Sequence, residues 1–133
     1  MTQDDIVTGR KQPDAIACGD WFVDLHNPKG EGTLIVRPPA GDWYEVPYRS
    51  TTAHALDNLL VASRCLDATH EAHAAVRASN QICAVGEGVG TAAAQVITRE
   101  LADVRSVDID QLQATLRKSG AALRDESGKL CGF

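Results

Sequence analysis

The histidines carry the most evident proton chemistry in this chain. His70 and His73 stand three residues apart with Glu71 between them, and Asp67 precedes His70 by three. On a helix, residues at that spacing share a face. Such a set can move a proton beside a substrate. It lacks the H-E-x-x-H spacing of a helical zinc site, and no metal is assigned. His26 projects to the same strand face as Asp24, where a carboxylate can orient an imidazole as a general base. Residues of these types also suit a solvated helix or strand surface. Four cysteines, Cys18, Cys65, Cys83 and Cys131, show no C-x-x-C spacing and read as free thiols, with Cys65 and Cys83 expected as small core residues.

The stretch ICAVGEGVGTAAAQVI places Gly86, Gly88 and Gly90 at alternate positions. A dinucleotide loop requires G-x-G-x-x-G at a strand-to-helix turn. Here the third glycine comes one residue early, and no Gly-Lys-Ser/Thr follows. Counting favours a continuous helix instead. Ile82, Val85, Val89, Ala93 and Val96 follow at steps of three, four, four and three, which makes one apolar face. Gly86, Gly90 and Ala94 recur every four residues and predict a flat ridge against which a neighbour packs closely. Each glycine costs a helix interior roughly 1 kcal/mol relative to alanine, so close packing has to offset it. A phosphate loop at Gly86–Gly90 is the alternative. If the helix runs through, it starts near Ser79 or Asn80, either of which can cap it. Its first-turn N–H groups, at Asn80, Gln81 and Ile82, then face an anionic or electron-rich ligand atom.

The elements around these residues follow from patterning. The chain has 133 residues, enough for one domain, with 44% hydrophobic residues and only 5% aromatic, so a core of small side chains is expected. Thr2 and Asp5 form a capping-box pattern before a short helix. DWFVDLHN and TLIVRPP read as antiparallel strands joined by the turn PKGEG, and DWYEVPY as a further extended segment. DNLLVAS reads as a buried strand around Leu59–Ala62. DATHEAHAAVR and the glycine stretch are helix formers. A last helix has Asp108 or Asp110 as cap, Ile109, Leu112 and Leu116 as apolar face, and Gly120 as stop. The fold class is α+β. Residues 1–50 form a β segment, 51–124 a strand plus helices, and 125–133 a polar, loosely held tail. The net charge of −5 and the scattered basic residues argue against a nucleic-acid footprint. No apolar run reaches the roughly 18 residues of a membrane span. A cytoplasmic setting is the expectation.

In order, PDAIACGDWFVDLHNP, YEVPYRS, DNLLVASRCLDATHEAHAAVR, the glycine-rich helix and VDIDQLQATLRKSGA resemble the C-terminal part of the large bacterial FAD-dependent oxidoreductases. The resemblance covers roughly residues 3–123. It implies a partial FAD/NAD(P)-binding-type domain, with residues 1–50 belonging to a substrate domain. It also implies that FAD is the cofactor and that hydride passes from a substrate C–H bond to the flavin. By that resemblance Ser63 and Arg64 lie near the ribityl and phosphate region, and Ala78, Ser79, Asn80, Gln81 and Ile82 lie near the isoalloxazine. Arg77, just before the helix start, is placed to meet a flavin or substrate oxygen, or else Glu71 or Asp67. Arg49 is placed to bind an anionic or hydroxylated small-molecule substrate, or else to form a surface ion pair. His70, His73 and His26 are the candidate bases. Where the family usually has Gly, this chain has Ser63; where it often has Gln-Ala-Ala, this chain has Glu87, Gly88 and Val89. Nothing in residues 1–50 resembles the family's N-terminal Rossmann fingerprint. The ADP part of FAD is therefore expected to need a Rossmann-type half or subunit supplied by a partner. The alternative is a non-catalytic interaction domain that forms a homo-oligomer without cofactor, packing through the small-residue ridge.

Overall fold

The computed structural model describes residues 1–27 and 29–131; Pro28 of the expected turn and residues 132–133 of the tail lie outside the described residues. In chain order the elements are α1 (Gln3–Val7), β1 (Ala15–Gly19), β2 (Val23–His26), β3 (Thr33–Val36), β4 (Tyr44–Pro47), α2 (His70–Val76), α3 (Ser79–Thr98) and α4 (Ile109–Lys118). Short 3-10 turns lie at Tyr48–Thr51 and Val104–Ser106. The fold is α+β, as its patterning implies. Its strands form two separate antiparallel pairs, β1 with β4 and β2 with β3.

β1 is an element that the sequence pattern does not announce. AIACG has neither alternation nor large β-branched side chains apart from Ile16, yet Ala15, Ile16 and Ala17 are buried. The strand exists because α3 lies against it. The helix approaches most closely at Gly88, where an added Cβ would stand 2.8 Å from Ile16 Cβ and 3.0 Å from the Ile16 carbonyl oxygen. α3 thus does run through all three glycines, and no loop forms at Gly86–Gly90. The tight ridge, however, is not Gly86, Gly90 and Ala94. Nothing lies within 4 Å of the positions a Cβ would take on Gly86 or Gly90. The buried face comprises Gln81, Val85, Gly88, Val89 and Ala92, which turns the expected ridge outward.

Two further expectations change. Leu59–Ala62 is not a buried strand. Leu60 makes a single bridge to Thr52, Leu59 is exposed, and the neighbouring 3-10 turn offers no extended edge to pair with. The core also holds rings: Tyr44 and Tyr48 are both buried. Their hydroxyls are satisfied, Tyr48 donating to the Val104 carbonyl (2.7 Å) and Tyr44 to the Gln81 side-chain oxygen (3.1 Å). Gly19 makes room for the Tyr44 ring, since a Cβ there would fall 2.7 Å from it.

Helix ends follow local chemistry. Thr2 and Asp5 form the capping box of α1. Asp108 caps α4 through the Gln111 N–H, and Gly120 (φ +90°) stops it. The polar tail folds back as a hairpin rather than hanging loose. Asp125 N–H donates to the Lys129 carbonyl (2.8 Å), and Arg124 reaches the fully buried Glu45 (Nε–Oε1 3.0 Å). Glu45 also accepts from the Gln12 N–H (2.7 Å), so its carboxylate is paired and hydrogen-bonded where water is excluded.

Two substitutions check this packing by denaturant unfolding of the chain. Gly88→Ala forces Cβ into Ile16 and destabilises by about 1–3 kcal/mol. Gly90→Ala meets nothing and stabilises by about 1 kcal/mol through helix propensity alone. Equal effects of the two changes would contradict the packing. Glu45→Ala, which strands Arg124 and the Gln12 N–H, costs about 3 kcal/mol.

Candidate functional site

The junction between α2 and α3 gathers most of the expected site residues. α2 closes at Arg77, and Ala78 is extended (φ −60°, ψ 139°), so the second helix restarts after a one-residue break. Ala78 is the N-cap and has no side chain to cap with; neither Ser79 nor Asn80 fills that role. The N–H groups of Ser79, Asn80 and Gln81 have no acceptor within the helix, and the first intrahelical bond runs from Ile82 N–H to the Ala78 carbonyl (3.0 Å). The open end of a 20-residue helix is thus a cluster of donors carrying partial positive charge.

Basic side chains sit on that end. Arg64 Nε donates to the Arg77 carbonyl (3.0 Å), and Arg64 Nη2 to Ser79 Oγ (3.3 Å). The ring of His73 fixes Arg64 in turn, its Nε2–H donating to the Arg64 carbonyl (2.6 Å). A carbonyl only accepts, so this bond sets the His73 tautomer. Ser63 Oγ accepts from the Cys65 N–H (3.1 Å) and shapes the turn before α2. Arg77 Nη2 lies 3.9 Å from Asp24 Oδ2, and Asp24 Oδ1 lies 3.9 Å from His26 Nε2. One network therefore joins Arg64, His73, Ser79 and Arg77, and through Asp24 reaches His26.

Two open cavities flank the network. One of about 610 Å³ is lined by Cys18, Asp20, Arg37, Trp43, Asn80 and Gln81, so the first turn of α3 forms part of its wall. The Trp43 indole N–H itself is shut off from solvent and has no partner among the described residues. Gln81 is 2% exposed, and its side chain is committed to the core. With its amide nitrogen on the Ala75 carbonyl (2.9 Å), its oxygen accepts from the Trp21 N–H (3.0 Å) and from the Tyr44 hydroxyl (3.1 Å). Only its backbone N–H is left for a ligand. The second cavity, about 530 Å³, is lined by Leu25, His26, Glu31, Leu34 and His70, and brings two of the three expected bases together.

Arg49 lines neither cavity. It pairs with Asp14 and donates to Gln12 Oε1 (2.7 Å). Cys65 and Cys83 are exposed, not core residues, because α3 turns its Cys83 side outward. Sequence reasoning missed Trp43 and the Asp24–Arg77 contact. A tryptophan directly after the turn AGD was the available sign for the first; the second joins residues far apart in the chain and leaves no local sign.

These features, a helix end of N–H donors with the Arg64 guanidinium on it, beside two open cavities walled by more apolar than polar surface, suit an electron-rich ligand edge. The family model for FAD dependent oxidoreductases matches residues 1–116. The chain belongs to that family. That membership supports a flavin oxidoreductase-type function in general. No curated protein and no solved structure matches the chain.

Thiol reactivity checks the cavity. Burial, with the Glu45 charge beside it, pushes the Cys18 thiol up to about 12. That leaves roughly a thousandfold less thiolate than an ordinary cysteine at mildly alkaline pH. Iodoacetamide followed by peptide mass mapping should label Cys65 and Cys83 well before Cys18. Rapid labelling of Cys18 would contradict its burial.

Proposed function

We propose that the chain is the flavin- and substrate-contacting C-terminal part, or small subunit, of an FAD-dependent oxidoreductase. The carrying observation is the first turn of α3. Three backbone N–H groups without an acceptor among the described residues, an N-cap that cannot compete for them, and the Arg64 guanidinium on Ser79 form a set made of donors, with Arg77, held toward Asp24, one residue before the cap. That donor chemistry fits the electron-rich pyrimidine edge of a flavin. FAD, when bound, supplies the hydride acceptor for a substrate C–H bond.

The chain's own residues then have distinct tasks. The α3 terminus binds and orients the edge where negative charge grows, and its dipole stabilises that charge. Ser79, Asn80 and Gln81 contribute backbone N–H groups, while the Ile82 N–H is held by the Ala78 carbonyl; Arg64 and Arg77 contribute positive charge. His73 positions Arg64 through the 2.6 Å bond to its carbonyl. His70 and His26, facing one groove, are the groups placed to take a proton from a small-molecule substrate. Arg49 acts away from this site, holding the segment that carries Asp14. Gly86, Gly88 and Gly90 lie inside α3, so the ADP portion is assigned to a Rossmann-type half or partner subunit. The outward face of α3, with Gly86, Gly90, Ala94 and the 76% exposed Ile97, is the surface assigned to that half.

Co-expression with a Rossmann-type half should give a yellow complex, and Arg64→Ala or Arg77→Ala should weaken flavin binding by about tenfold each. Arg49→Ala should leave it unchanged. An assembled pair without flavin absorbance would overturn the function, and unchanged binding in both arginine variants would overturn the site.

A further inference from the structure

β3 is an exposed edge strand with nothing laid against it among the described residues. It pairs only with β2, Leu34 is 55% exposed and Ile35 49%, and these two side chains point to opposite faces. A two-stranded hairpin with apolar residues open on both faces is marginal alone and offers a template for another strand.

The register fixes which groups are free. Asn27 N–H donates to the Gly32 carbonyl (3.2 Å), and the pairs Leu25–Leu34 and Val23–Val36 follow at alternate positions. Alternation of hydrogen-bonded pairs then turns the N–H and C=O groups of Thr33 and Ile35 away from β2, toward the open edge. Unpaired charges of opposite sign stand at the two ends of this edge. Glu31 has no cationic partner among the described residues. Arg37 has no carboxylate partner there either, its guanidinium lying over the Phe22 ring at 4.6 Å.

We infer that β3 pairs antiparallel with β3 of a second copy of this chain, making a four-stranded sheet across a two-fold axis. The register that centres Leu34 on Leu34 of the second copy sets Thr33 opposite Ile35, so the outward backbone groups of both strands meet. The same register sets Glu31 opposite Arg37, twice per dimer. A contact this short is smaller than a standard stable interface, so the dimer dissociates on dilution. The inference does not depend on the flavin reading, and the α3 face stays free in it.

Sedimentation equilibrium of the full chain over a wide concentration range is the test. The wild type should show a reversible monomer–dimer equilibrium. Glu31→Arg alone or Arg37→Glu alone sets like charges opposite each other and should weaken dimerisation by about tenfold. The double variant E31R/R37E restores complementarity and should dimerise like the wild type. Both residues are on the surface, and circular dichroism checks that each variant is folded. A wild type that stays monomeric at every concentration overturns the inference. So does a dimer that the single reversals leave intact, or one that the double reversal fails to restore.

Discussion

Everything in this structure hangs on how closely α3 lies on β1. At Gly88 the helix has no side chain, and the Ile16 side chain and carbonyl occupy the space a Cβ would take. Any other residue there would lift the helix from the strand or displace Ile16. The consequence runs in both directions along the helix. Toward its C-terminus, Val89 and Ala92 stay in the core. Toward its N-terminus, Gln81 is carried inward to Tyr44 and the Trp21 backbone, and Ser79 and Asn80 emerge at the surface. The position of the helix end, and so of its free donors, is set about three turns away from it.

Buried polar groups complete that frame. Glu45 ties β4 to the loop at Gln12 and to the C-terminal hairpin through Arg124, and Tyr48 ties the turn after β4 to Val104. Each of these groups is shielded from water and has its partner, so each holds its segment in one arrangement. The site itself is different. Its arginines are partly exposed and Ala78 has no side chain to cap with.

The sequence discloses this unevenly. Long periodic segments are legible: the apolar steps from Ile82 to Val96 give α3, and Asp108 with Gly120 brackets α4. Within α3, however, spacing alone does not say which small-residue row is the tight one. Gly86, Gly90 and Ala94 make the more regular row, but Gly88 meets Ile16, because the strand's position decides and β1 is itself invisible in AIACG. Leu59–Ala62 looks like a buried strand by composition and finds no edge to pair with. Of the site, family resemblance set Arg64 by the ribityl and phosphate region and Ser79 by the isoalloxazine; that Arg64 hydrogen-bonds to the Arg77 carbonyl and to Ser79 Oγ is a contact no spacing announces. The role of Asp24 in joining Arg77 to His26 depends on β2 packing against α2, which no local pattern encodes.

The central claim is that the first turn of α3 receives the flavin edge. Amide chemical shifts of the chain, isotope-labelled and assembled with a Rossmann-type half, report it directly as FAD is added. The account predicts the largest shifts at the N–H groups of Ser79, Asn80 and Gln81, with little change at Gly86, Gly88 and Gly90. Largest shifts at the three glycines, or none in α3, would contradict it.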